Sequence, residues 1–309
     1  MTPNSRAVRG ERRAMLAVMS RRRVLSRLAA LASVLALPAC AASIPPAAPG
    51  VGTPSRLRYG TDPSQFGELT LPAGEGPAPV VVVVHGGFWR SAYGLDLGRP
   101  AAADLANAGL AAWNVEYRRV GNGGGWPATL DDVAAAVDLL AGPGQEAAGG
   151  RLDLDRVVAV GHSAGGQLAA WLAARPGLPS GTPGAAPRVR PRGAVSQAGV
   201  LDLVDAAQLG VGRGAVEDLL GGGPADVPDR YALASPIARL PLGVPVVAVH
   251  GDADGNVPVR QSERFAAAAR AAGDPAEIVR LPGVEHFAMI DPASDAWRVC
   301  RDTTERLLR

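Results

Sequence analysis

The sequence predicts an α/β fold: a mainly parallel central sheet with helices on both faces. Val-rich runs of strand length recur along the chain, and most are followed by Ala/Leu-rich segments at helical spacing. The runs are continuous rather than alternating, as strands buried on both faces must be. Strands regularly separated by helices need crossover connections, and crossovers make neighbouring strands parallel. A chain of 309 residues, 47% apolar, can bury a large core, and its 39 Gly and 27 Pro supply the turns. Two cysteines are too few for a disulfide scaffold or a structural zinc site.

The chain opens with an address. Arg21-Arg22-Arg23 precedes a ten-residue apolar run, Leu28 to Leu37, and then Leu37-Pro38-Ala39-Cys40. Ten residues of helix reach about 15 Å, half a bilayer's hydrocarbon core. Residues 1–40 therefore read as a signal peptide. The arginines resemble a twin-arginine export signal and Leu-Pro-Ala-Cys resembles a lipobox, which implies a lipid on Cys40 and an exported protein, tethered to the outer face of the cytoplasmic membrane or secreted. Met19 is an alternative start. Residues 41–56 read as a flexible linker, and 57–309 as one catalytic domain without internal repeats. The net charge of +2 belongs to the leader: residues 1–40 hold eight Arg against Glu11, which leaves 23 Arg facing 28 acids. A body without basic bias makes nucleic acid an unsuitable partner.

Along the body, Phe66 to Leu71 alternates and reads as an edge strand, and Pro79 to Val84 as a central one. Residues 93–108 read as a helix, Leu110 to Tyr117 as a strand, and 128–141 as a helix capped by Thr129. Arg156 to Val160 is a strand, with a helix from Ser163 to Arg175. Pro176 to Arg192 holds five prolines and reads as a loop. Gly193 to Ser196 is a strand, 201–240 a set of short helices, Val244 to Val249 a strand and 258–272 a helix. Ala276 to Leu281 and 293–308 close the chain as strand and helix. In such sheets ligands bind beyond the carboxyl ends of the strands.

Those ends carry the chemistry. Gly161-His162-Ser163-Ala164-Gly165 follows a buried-type strand and opens a helix, the context in which G-x-S-x-G presents a nucleophile. A serine needs a base. Of four histidines, His162 adjoins Ser163 and cannot easily face its Oγ. His85 and His250 end strands before Gly and read as structural turn residues. His286, on the loop after the last strand, is the candidate base. Asp252 and Asp254, in the loop after the 244–249 strand, compete to orient it; Asp254 sits deeper in the loop, and Asp252 suits a cap on its own turn. The amides of Gly87, Phe88 and Ala164 are the candidate oxyanion hole. Trp89 and Trp126 sit on loops at the same edge and either line an acyl or alcohol pocket or pack the core. No clustered His spacing suggests a metal, and no cofactor is expected.

Together these residues resemble the α/β-hydrolase superfamily over roughly 56–309. His85-Gly-Gly-Phe-Trp89, Tyr117-Arg-Arg119 and Gly123-Gly-Gly-Trp-Pro127 are similar to the kynurenine-formamidase-like and feruloyl-esterase-like branch. Ala234-Ser-Pro-Ile-Ala238 and His250–Pro258 are similar to prolyl-oligopeptidase catalytic domains. The resemblance implies an α/β-hydrolase fold and a Ser163–Asp254–His286 triad. Where relatives with an HGGG motif carry a third Gly, this chain has Phe88-Trp89. The expected function is hydrolysis of a small-molecule carboxylic ester through an acyl-serine. Amide cleavage, as by an arylformamidase or peptidase, is the alternative enzyme reading, and an inactive surface-bound binding protein is the non-enzyme one.

Overall fold

The computed structural model describes residues 43–309, so the expected signal peptide and Cys40 lie outside the described residues. The strands are β1 (Ser55–Arg58), β2 (Phe66–Thr70), β3 (Ala78–Val84), β4 (Ala111–Val115), β5 (Leu152–His162), β6 (Gly193–Gln197), β7 (Val246–Gly251) and β8 (Ala276–Leu281). They form one eight-stranded sheet in the order β1-β2-β4-β3-β5-β6-β7-β8 among the described residues. The first two pairings, β1 with β2 and β2 with β4, are antiparallel; every later pairing is parallel. The expected mainly parallel sheet is therefore observed.

The helices are α1 (Arg99–Asn107), α2 (Ala128–Asp138), α3 (Pro143–Ala147), α4 (Ala164–Ala174), α5 (Leu203–Gln208), α6 (Ala215–Leu220), α7 (Pro228–Ala234), α8 (Arg260–Ala271) and α9 (Asp295–Leu308). The Val run of β3 shows why the central strands do not alternate. Val80, Val82 and Val84 pack with residues of α2, α4 and α8, whereas Val81 and Val83 pack with residues of α1 and α9. Both pleat faces meet a helix layer, so both must be apolar.

Two expectations are corrected. β2 is not the edge strand, because β1 pairs outside it. The signal in Ser55-Arg-Leu-Arg58 is weak because an outermost strand keeps most of its side chains in water. Thr129 does not cap α2, whose N-cap is Pro127. Its hydroxyl instead donates to Arg118 O at 2.6 Å and accepts from Gly125 N at 3.0 Å, which ties two loops together.

The described part of the expected linker is docked on the body. Ala48 N donates to Asn107 Oδ1 at 2.8 Å, and Asn107 Nδ2 donates to Pro46 O at 3.0 Å. Gly52 N donates to Leu71 O at 3.0 Å. Asn107 ends α1 just before β4 begins, and Leu71 follows β2, which runs antiparallel to β4. Residues 46–52 thus lie at the end of the sheet where the parallel strands start.

Candidate active site

Ser163 occupies a turn that only a tight strand-to-helix junction enforces. It follows β5 directly, precedes α4, and has φ 55° and ψ −118°. A non-Gly residue there costs on the order of 1–3 kcal/mol and persists only when its surroundings hold it. Ser163 N donates to Gln197 O at 2.8 Å on the neighbouring strand. The flanking glycines are sterically required. A Cβ on Gly161 would lie 2.0 Å from Gly165 O, and one on Gly165 would lie 2.1 Å from Val84 O. The motif spacing therefore reports a close approach of strand and helix backbones.

Asp254 and His286 are brought together from the loops after β7 and β8. His286 Nδ1 donates to Asp254 Oδ2 at 2.6 Å. The other carboxylate oxygen accepts from Asn256 N at 2.8 Å and Val257 N at 2.9 Å. Burial alone would raise the pKa of Asp254. Hydrogen bonding from His250 and His286, with the Val257 amide, outweighs it and holds the carboxyl well below the usual carboxylate range. His250 is a brace for this loop: its Nε2 donates to Val257 O at 2.9 Å, and Ser262 lies on its Nδ1 at 2.7 Å. That matches the expected structural role.

Asp252 corrects an expectation. Its Oδ1 accepts from Gly283 N at 2.6 Å, so it fastens the loop that carries His286 rather than capping its own turn. The two aspartates divide the work, one holding the ring of His286 and one holding its loop.

The Ser163 turn and the His286 loop meet through His162. Its Nε2 donates to the His286 carbonyl at 2.9 Å, and the two rings lie 4.4 Å apart. Burial pushes the pKa of His162 down to about 3, so the ring is neutral at ordinary pH. Sequence position alone gives no sign of this contact, because the partners are 124 residues apart.

The candidate oxyanion loop starts beside the same turn. A Cβ on Gly86 would fall 3.2 Å from the Ser163 Cβ. Gly87 has φ 110°, Phe88 φ 54° and Trp89 φ 53°. Among the described residues, the amides of Gly87, Phe88 and Ala164 donate to no acceptor in the protein. The departure from a third glycine is thus accommodated by a left-handed Phe88, whose ring lies against Gly212; a Cβ there would sit 2.4 Å from it. Behind the loop, Glu116 accepts from His85 Nε2 at 3.0 Å and from the amides of Leu95 and Tyr117. Tyr117 stacks on His85 and donates to its carbonyl at 2.9 Å. The Tyr117–Arg119 motif is therefore a brace for the His85 turn.

Trp89 is not a pocket wall. It is 1% exposed, belongs to the core, and donates its indole N–H to Gln167 Oε1 at 3.0 Å. Two successive left-handed residues turn the chain so that the indole drops inward. Trp126 is half-buried against the same core, with its amide on Leu219 O at 2.7 Å. A cavity of about 450 Å³ lies elsewhere, between residues 44–54 and the α1 side of the sheet. Among the described residues no group of three His, Cys, Asp or Glu is placed to hold a metal, and no helix is long and apolar enough to cross a membrane.

This strand order, with a serine on a left-handed strand-to-helix turn and an Asp–His pair on the following strand-end loops, is that of an α/β-hydrolase fold. The BD-FAE family model matches residues 68–268, and the chain belongs to that family of α/β-hydrolase-like esterases. It is 27% identical over 263 residues to esterase LipC of Mycobacterium tuberculosis, covering 77% of this chain and 60% of that protein. The chain thus spans less than two thirds of that relative's length. Among solved structures it is similar to a truncated carbohydrate esterase from gut microbiota, with TM-score 0.71, 22% identity and coverage of 85% and 99% of the two chains. It is also similar to a butyrate-bound esterase from the planctomycete Thermogutta terrifontis, with TM-score 0.66, 23% identity and coverage of 84% and 94%. At that identity the solved structures establish the fold.

Proposed function

We propose that the protein hydrolyses small carboxylic esters through an acyl intermediate on Ser163. The observation that carries this is Ser163 at φ 55° on its turn, with His162 beside it seated on the His286 that Asp254 orients. In this reading His286 Nε2 takes the proton from Ser163 Oγ as the oxygen attacks the ester carbonyl. Asp254 keeps Nδ1 protonated and stabilises the imidazolium. The amides of Gly87, Phe88 and Ala164 receive the oxyanion. His286 returns the proton to the leaving alcohol, and water repeats the sequence on the acyl-serine to release the acid. Esterase LipC and the solved relatives are named for ester hydrolysis, which supports ester over amide substrates.

We further infer that residues 1–40 direct export and that Cys40 carries the lipid, on the strength of the arginine run, the apolar run and Leu37-Pro-Ala-Cys40.

The direct test is Ser163→Ala on p-nitrophenyl esters, with covalent labelling by a fluorophosphonate. The expected result is a loss of about 10³-fold or more in kcat and no labelling, with an unchanged circular dichroism spectrum. Activity within about tenfold of wild type overturns the reading, because removal of a nucleophile costs far more.

A further inference from the structure

His162 is drawn into the site by sequence adjacency to Ser163, yet the triad chemistry gives it no role. Its surroundings do. The ring is 4% exposed and ends β5 immediately before the nucleophile. Its Nε2 donates to the backbone carbonyl of His286 at 2.9 Å, and its face lies 4.4 Å from the His286 ring. Phe287 lies against both rings, its centroid 5.9 Å from that of His162 and 5.2 Å from that of His286. The ring has no room to swing away. The space beside it, lined by His85, Gly86 and Gln197, is about 10 Å³, which is at most one water.

Two anchors consequently act on one residue. Asp254, from the loop after β7, fixes the ring of His286 through Nδ1. His162, from the strand that bears the nucleophile, fixes the main chain of the same residue. The first sets the tautomer and tilt of the base. The second ties the base's backbone to the strand that carries Ser163. A carbonyl oxygen only accepts, so His162 must carry its proton on Nε2 to make this bond.

We infer that His162 is a positioning residue, one that sets the separation of the base from the nucleophile by pinning the main chain of His286 to the end of β5. This rests on the serine-hydrolase reading above. The role asks for a donor at the reach of Nε2 and not for an ionisable group. Glutamine supplies an amide N–H at that reach. Asparagine offers the same amide one methylene short, and phenylalanine keeps the ring without the donor.

The test measures kcat and KM on a p-nitrophenyl ester for His162→Gln, His162→Asn and His162→Phe, beside Ser163→Ala. Fluorophosphonate titration counts the competent sites in each, and thermal melts select the folded variants. A 1 Å displacement of a reacting group costs about 10²-fold. The expected result is a fall in kcat of that order in His162→Asn and His162→Phe, with KM within about threefold and most of kcat restored in His162→Gln. Where His162→Phe does not fold, the contrast between Gln and Asn decides, since both are uncharged amides. Equal kcat in all folded variants, or equal loss in Gln and Asn, overturns the positioning role while leaving an inactive Ser163→Ala intact. Wild-type activity in Ser163→Ala overturns the hydrolase reading and this inference with it.

Discussion

Asp254 and Asp252 sit two positions apart on one loop, yet they hold different parts of the His286 segment, its ring and its loop. Asp254→Asn would leave His286 facing an amide that favours the wrong tautomer and carries no charge for the imidazolium. The expected loss in kcat/KM is about 10³- to 10⁴-fold. Asp252→Asn keeps an acceptor for Gly283 N, and a loss of about tenfold or less is expected. Steady-state kinetics on the two variants gives the ranking. Titration of buried residues adds a second prediction. His162 has a folded pKa near 3 against about 6.5 in an unfolded chain. The unfolded state therefore binds the extra proton between those values, and stability falls as pH drops from about 6.5 toward 3. The depressed Asp254 carboxyl acts in the same direction at lower pH, since its contribution is lost as pH falls below the usual carboxylate range. Denaturant unfolding at pH 6.5, 5.5 and 4.5 should show a slope that His162→Gln reduces by up to about 1.4 kcal/mol per pH unit. At this scale the placement of Ser163, Asp254 and His286 at one edge of the sheet was legible because each follows a strand end in the sequence. The holds made by His162 and Asp252 were not. Both depend on where a side chain points across a gap between loops, and no local pattern encodes that direction.

The glycines around Ser163 show how an element boundary limits what the sequence can contain. Gly165→Ala places a methyl against the carbonyl oxygens of Val84 and His85, both of them backbone. The expected cost is on the order of 3 to 5 kcal/mol, read as a fall in melting temperature or as loss of soluble protein. Gly177→Ala is the control: it meets nothing within 4 Å and should change stability by no more than about 0.5 kcal/mol. A comparable cost at both positions would mean that the turn is not the constraint. The central strands were readable because burial on both faces leaves an unbroken apolar run, as in the valines of β3. β5 begins at Leu152, ahead of the apolar stretch. Its first residues pair with Ala78 and Pro79 before a register shift, so their strand character comes from the partner and not from their own pattern. β1 stayed hidden for a related reason: four largely exposed residues make a strand only once β2 is there to pair with.

The whole molecule places its two ends of interest apart. Ser163, Asp254 and His286 sit where the parallel strands finish, and residues 46–52 are fastened where those strands start. If Cys40 is acylated, its chains hold firmly in a bilayer, as two or three together do where one does not. Wild type is then expected in the membrane fraction of a native-like host, and Cys40→Ser in the soluble exported fraction with its activity intact. Equal release of both removes the lipid, and recovery of the unprocessed chain in the cytosol removes export as well. A free tether from 41 to 56 would let the domain tumble and present any side. The tie between Pro46, Ala48 and Asn107 removes most of that freedom. Only five residues lie between position 40 and Pro46, a leash of at most about 20 Å. If a lipid does sit on Cys40, it would hold the domain by its heel with the strand-end loops turned outward, so that esters arriving from the surrounding medium would meet them before those lying in the surface.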